Sequence, residues 1–213
     1  MEKLNIVEEL YRYFRDERSK HSREPGVHWV TDLVSCSLKV RYEQLYPELS
    51  MPDVFNPVLI QGVLIHKGLG LLLAQLLEAK GVKVEVEKEA CVEVDLTAAG
   101  LAGGRVLVKG RADIIVYPPS GKGVGIEVKT ARSDIQLPLE HHVDQVRAYN
   151  TIFDLSASYL LYVTPERITQ FEVEERMSME ELALRVTEHK APRYTWECRY
   201  CNFAVLCPYK VTK

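Results

Sequence analysis

Residues 4–20 place Leu4, Val7, Leu10, Tyr11 and Phe14 three and four apart, which predicts an amphipathic helix with one apolar face. REPG at 23–26 carries the breakers that end it. Ser35 is placed to cap a short helix carrying Cys36, Leu38, Val40 and Tyr42. The run VLIQGVLIHKGLGLLLAQLL at 58–77 predicts a long helix over about 57–79 that ends near Gly81. Gln61, His66, Lys67 and Gln75 interrupt it, so a buried core helix is expected and not a membrane span.

The pattern then changes period. KVEVEKEACVEVDL (83–96) alternates apolar and polar residues, as a half-buried strand does. RVLVKGRADIIVY (105–117) reads as a second strand, with a bulge expected at Gly110, and PPSGKG turns the chain into a third, GVGIEVKT. A helix over 137–153, a hairpin over 157–173 turning at Pro165, and a helix over 177–190 follow. Ser178 and Glu181 stand at the spacing of a capping box for the last helix. Residues 191–213 show no period. The order of elements predicts an α/β fold around a mixed central sheet flanked by helices. It divides into an N-terminal helical segment (1–56), a core (57–190) and a cysteine-rich C-terminal segment (191–213) of one integrated domain.

Composition adds bounds. With 46% hydrophobic and 27% charged residues the chain has a soluble globular make-up, and 213 residues suit one domain. A formal net charge of −3 argues against a protein that coats nucleic acid through bulk positive charge, though not against an enzyme whose carboxylates hold metal. The opening MEKLNIVEELYRYFRDER is charged from the start, so no secretory leader is expected and the location is read as cytoplasmic.

GIEVKT puts Glu127 and Lys129 on the same side of a largely apolar strand. Burying both costs several kcal/mol per ion, on the order of a strong interaction each, unless they are paired or coordinated. Asp113 lies on the preceding strand in GRADIIVY, so the turn brings Asp113 and Glu127 to one pocket. Two carboxylates there repel, and a divalent cation with a taste for oxygen, Mg²⁺ or Mn²⁺, relieves that. Lys129 beside them would orient a water or counter charge developing on a phosphate. An E-x-K pair taken alone is more often a solvated strand edge or an internal ion pair. His66 on the long helix is a further candidate ligand, against the reading of a satisfied core histidine. Gln145 and Tyr149, four apart in DQVRAYN, share one helix face.

The tail WECRYCNFAVLCPYK sets Cys198, Cys201 and Cys207 in a C-x₂-C-x₅-C pattern. A closed metal site needs a fourth thiolate, and Cys36 and Cys91 are available. Cys91 lies in an alternating strand and reads as a small packed residue; Cys36, at a helix start, is the preferred choice. One remote cysteine joining three clustered ones fits an iron–sulfur cluster better than zinc, which is usually held by two close pairs. Such a site would clasp the two ends of the chain together.

Taken in order, Cys36, His66 in GVLIH, Asp113 in KGRAD, Glu127-Val128-Lys129, Gln145-x₃-Tyr149 and Cys198, Cys201 and Cys207 resemble the RecB-like nucleases that carry an iron–sulfur cluster. Within the PD-(D/E)XK nucleases they look most like the compact CRISPR-associated adaptation exonucleases. The resemblance runs from 36 to 208. It implies a restriction-endonuclease-like core with an iron–sulfur-clasped cap. It also implies Mg²⁺ or Mn²⁺ held by His66, Asp113, Glu127 and the carbonyl of Val128, with Lys129 assisting the attacking water. Gln145 and Tyr149 would support the site and touch DNA. Cys36, Cys198, Cys201 and Cys207 would hold the cluster, the four-iron type being favoured over the two-iron type. The activity implied is exonuclease action on single-stranded DNA from the 5′ end, trimming DNA for the CRISPR integrase, with no membrane involved. The chain departs from the family in having Ser37-Leu38 where proline and arginine often follow the first cysteine, with Lys39 and Arg41 nearby. Lys109, Arg111, Arg132 and Arg147 are the cations nearest the predicted pocket. Rival readings are a repair or recombination nuclease outside CRISPR and a non-catalytic DNA-binding scaffold subunit.

Overall fold

The computed structural model describes residues 4–20, 24, 26–119 and 121–211. Part of the expected break at 23–26, and Ser120 of the PPSGKG turn, lie outside the described residues. The helices are α1 (Ile6–Lys20), α2 (Val30–Leu33), α3 (Ser37–Leu45), α4 (Pro57–Glu78), α5 (Glu140–Ile152) and α6 (Met179–Thr187). The strands are β1 (Val27–Trp29), β2 (Lys83–Asp95), β3 (Arg105–Tyr117), β4 (Val124–Thr130), β5 (Ala157–Val163) and β6 (Ile168–Val173). They form one mixed six-stranded sheet, which is the fold class the hydrophobic pattern predicts.

β3 organises the sheet. One edge pairs antiparallel with β2 along nearly its whole length. The other edge is divided: β1 runs parallel beside Leu107–Lys109, and β4 runs antiparallel beside Ile114–Val116. Three residues are too short to show a period, which is why β1 escapes sequence analysis. Between those two partners lies the stretch ending at Asp113. There the β2–β3 ladder also skips a step, because Glu87, at φ 50°, and Asp113 are not paired with each other. The irregularity expected at Gly110 therefore sits three residues on. Gly110 itself pairs regularly with Ala90 and is needed for another reason: a Cβ there would meet Tyr149 Cε1 at 2.9 Å.

The main core packs α2, α5 and α6 against the sheet, with Val30, Val108, Ile115, Tyr149, Leu155 and Leu182 all buried. Asn56 caps α4 by accepting from Val58 N at 3.0 Å, and Pro57 starts the helix where a missing N–H costs nothing. Contrary to the expectation of a core helix, only Gly70 of α4 is buried, and Leu64, Leu71, Leu72 and Leu76 are exposed. Its length and composition alone would let it cross a bilayer; here it lies along the sheet and covers it with one stripe. Gly62, His66 and Gly70 recur every four residues on that stripe. Cβ atoms at Gly62 and Gly70 would come within 3.3 Å of Thr130 and 3.1 Å of Val86, so the missing side chains let the helix approach closely at His66.

Two expected caps differ. Ser35 Oγ donates to Thr31 O and leaves α3 without a side-chain cap. Ser178 Oγ does accept from Glu181 N at 3.0 Å, but the carboxylate of Glu181 turns to Arg147 instead of closing the box.

Candidate active site

β4 carries the centre of the site. Glu127 is 5% exposed, and its Oε1 accepts from Lys129 Nζ at 2.9 Å and from Gln145 Nε2 at 2.8 Å. Lys129 Nζ also donates to Gln145 Oε1 at 2.7 Å. Gln145 Nε2 donates its second hydrogen to Tyr149 Oη at 2.9 Å. The amide orientation follows from its partners, since a flip would set the NH₂ against the ammonium and the oxygen against the carboxylate. The i, i+4 spacing of Gln145 and Tyr149 on α5 thus becomes a rigid polar ladder facing the strand.

Glu127 Oε2 is buried with no hydrogen-bond partner. A carboxylate oxygen removed from water without a donor is costly unless something electropositive is meant to meet it. Burial pushes the carboxyl of Glu127 up, to about 7, against the pull of Lys129 and with the push of Asp113. Burial likewise raises Tyr149 well above its ordinary value, helped by the nearby Glu127.

Asp113 stands at the fork where β3 and β4 part. Its Oδ2 accepts from Val128 N at 2.8 Å, taking the place of a ladder bond, and lies 3.1 Å from His66 Nδ1. His66, Asp113, Glu127, Val128, Lys129, Gln145 and Tyr149 are therefore brought to one place by α4, β3, β4 and α5. The donor set of two carboxylates and an imidazole, with one buried oxygen left unpaired, fits a hard divalent cation. As placed, no group of three or more His, Cys, Asp or Glu among the described residues is drawn close enough to hold a metal ion.

A second gathering lies across the molecule's two ends. Cys36, Cys198, Cys201 and Cys207 line one small pocket, together with Tyr42 and Phe203. Cys91 is exposed on β2 and away from it. Burial pushes the thiols of Cys36 and Cys201 up, and the negative form of Cys207 opposes ionisation of both. The pocket is shaped by the backbone around it. Glu197 accepts from Cys36 N and from Tyr194 N, each at 2.8 Å, and Arg193 Nε donates to Ser35 O at 3.1 Å. Ser37 N donates to Lys190 O at 3.1 Å. Four thiols with no carboxylate ligand among them suit a soft metal or a cluster.

Of the expected basic residues, Lys109 is held by Glu89 at 2.7 Å and lies over the Trp29 ring. Arg147 is committed to Asp144 and Glu181. Arg111 and Arg132 are exposed. Sequence analysis passed over His141 and His142, although His141 precedes Gln145 by four residues and so points to the same helix face. Tyr162 Oη accepts from Leu139 N at 3.0 Å and lies 2.8 Å from His142 Nδ1. Burial, reinforced by Lys129, pushes His141 down to about 4 and His142 to about 2, so both are neutral at ordinary pH. Glu197 was passed over too, because a carboxylate beside a cysteine reads as solvated.

The profile of the PD-(D/E)XK nuclease superfamily matches residues 37–208. The chain is 38% identical to the CRISPR-associated exonuclease Cas4 of Saccharolobus solfataricus, over 97% of this chain and all of that protein. The crystal structure of SSO0001 superposes with a TM-score of 0.88 at 36% identity, covering 97% of this chain and 98% of that one.

Proposed function

The chain belongs to the PD-(D/E)XK nuclease superfamily and, within it, to the family of the Cas4 exonuclease, and from that premise we propose that it is a metal-dependent exonuclease acting on single-stranded DNA. In this reading it digests from the 5′ end and trims DNA in the cytoplasm before a CRISPR integrase inserts it. The observation that carries the reading is the divided carboxylate of Glu127: one oxygen is fixed by Lys129 and Gln145, and the other is buried and unpaired in a carboxylate on which the charges of Asp113 and His66 both act.

His66, Asp113, Glu127 and the carbonyl of Val128 would hold Mg²⁺ or Mn²⁺. Bound there, the cation supplies positive charge against the scissile phosphate and lowers the pKa of a water. The protein's own groups do the rest. Lys129 spends two of its three ammonium hydrogens on Glu127 and Gln145, leaving the third for the attacking water or a phosphate oxygen. Gln145 and Tyr149 keep that ammonium from swinging away. Asp113, by taking the Val128 N–H, holds the fork between β3 and β4 open. Cys36, Cys198, Cys201 and Cys207 would hold an iron–sulfur cluster, of the four-iron type, whose role is to clasp the two ends of the chain.

The test is direct. Anaerobically purified, cluster-loaded protein is incubated with end-labelled single-stranded DNA in Mn²⁺, Mg²⁺ or chelator, beside Glu127→Ala. Metal-dependent shortening that vanishes in the variant is expected, with the 5′ label released first. A folded, cluster-loaded wild type that cleaves under no metal would leave the scaffold reading standing instead.

A further inference from the structure

Beyond the polar ladder, the first turn of α5 meets the cap. The His141 ring centroid lies 4.9 Å from that of Trp196 and 5.6 Å from that of Tyr194. Tyr194 and Trp196 are stacked, 5.9 Å apart and 16° from parallel. Trp196 nevertheless remains 47% exposed. A tryptophan anchored by two rings yet half in water is neither core nor a stray surface residue: it is fixed in orientation and keeps aromatic surface open. Trp196 also lines a concave stretch of the cap with Arg199 and Lys210, on the outer side of Cys198 and Cys201, and no Asp or Glu contributes to that wall. Arg199 and Lys210 set two cations beside the exposed ring, where they can meet the phosphates of a strand that stacks on it. On the other side His141 stands one helical turn before Gln145, whose Oε1 accepts from Lys129 Nζ at 2.7 Å. The aromatic group thus lies between the pocket of Lys129 and a groove edged by Arg199 and Lys210.

We propose that Trp196, backed by Tyr194 and His141, is a base-stacking platform that holds a nucleotide of the single strand next to the scissile phosphate and leads the strand into the groove of Arg199 and Lys210. An exposed ring beside cations is the chemistry that binds single strands without regard to sequence, since every base has a π-face and every linkage a charge. A duplex end keeps its bases stacked on each other and gains nothing from the platform. The proposal rests on the reading of the substrate as single-stranded DNA.

Two experiments on the cluster-loaded full chain test it. Without divalent cation, a single strand carrying 5-iodouracil is bound and irradiated, and the crosslinked peptide is sequenced. The crosslink is expected at Trp196 or Tyr194; crosslinks confined to other residues overturn the platform. In Mn²⁺, Trp196→Ala raises KM for single-stranded DNA on the order of tenfold with kcat little changed, and Trp196→Phe restores most of it. An unchanged KM in Trp196→Ala overturns the proposal, and so does a loss confined to kcat. Should Trp196→Ala shed its cluster, read from the visible absorbance, the crosslink decides, because it leaves Trp196 in place. A wild type that cleaves single strands while the variant matches it sinks the platform alone. A wild type that neither binds nor cleaves them sinks the substrate reading as well.

Discussion

The Glu127 pocket and the cysteine cap are ordered by different means. In the pocket each polar side chain is aimed by a neighbour one strand or one helical turn away: Glu127 by Lys129, Lys129 by Gln145, Gln145 by Tyr149. All stand on β4 and α5, whose inner residues belong to the buried core. The cap has one short 3₁₀ turn, Thr195–Tyr200, and is joined to the rest by a few long-range contacts such as Glu197 to Cys36 N. A site built on regular elements keeps its shape with no metal present; a site built on turns needs its inorganic centre to have a shape worth keeping.

That contrast breaks most sharply at a thiol. If Cys201 holds the proposed cluster, Cys201→Ala is expected to lower Tm by on the order of 10 °C or more, as the loss of a structural metal does. Limited proteolysis should then cut within 191–211 while the sheet resists. A cap that stays protected in the cluster-free variant would refute the contrast. The reverse weighting is expected at Lys129→Ala, where cleavage falls on the order of a hundredfold to a thousandfold and Tm falls less than in Cys201→Ala, because Glu127 can take up a proton when its ammonium partner is gone. Kinetics and a melting curve on one preparation check both halves.

Glu197→Ala sharpens the comparison. Losing two hydrogen bonds to a charged acceptor costs about 3 kcal/mol or more, and the loss should fall on the cap alone. Hydrogen exchange is the readout: protection should drop around Cys36 and Tyr194 and stay constant along β4.

The smallest effect is a pH dependence in the metal-free protein. The folded state raises the Glu127 carboxyl from 4.5 to about 7, so it binds that proton more tightly than the unfolded chain does. The resulting stability is fully present below 4.5 and is lost as pH climbs through about 7. Tm of the chelated protein should fall over that interval, and Glu127→Gln should flatten the fall. Mn²⁺ added above it should restore wild type and not the variant. A flat wild-type profile would mean that Glu127 is not desolvated as placed.

The same two regions differ in how far they can be read without a structure. β2, β3, β4 and α5 follow one another, and strand period plus a turn suffice to bring Asp113 beside Glu127. His66 comes from a helix far outside that run, and only the order of motifs pointed to it. The clustered cysteines announce a site by spacing, but nothing in the residues around Glu197 shows that it holds Cys36. The exposure of α4 escapes hydropathy, which records what a helix could bury and not what covers it; the face carrying Gly62, His66 and Gly70 meets the sheet, while Leu64, Leu71, Leu72 and Leu76 stay exposed. β1 and the ring contact between His141 and Trp196 are tertiary facts with no local signal.

The bond from Cys36 N to Glu197 also has a meaning in time. Synthesis runs from the amino end, so Cys36 and β1 leave the ribosome long before the residues that receive them. Everything between His66 and Tyr149 emerges as one unbroken stretch and can satisfy its own side chains as it comes. A nascent chain therefore carries every side chain of the Glu127 pocket while three of the four clustered thiols are still to come, and a cluster held by those four would have to wait for Cys207.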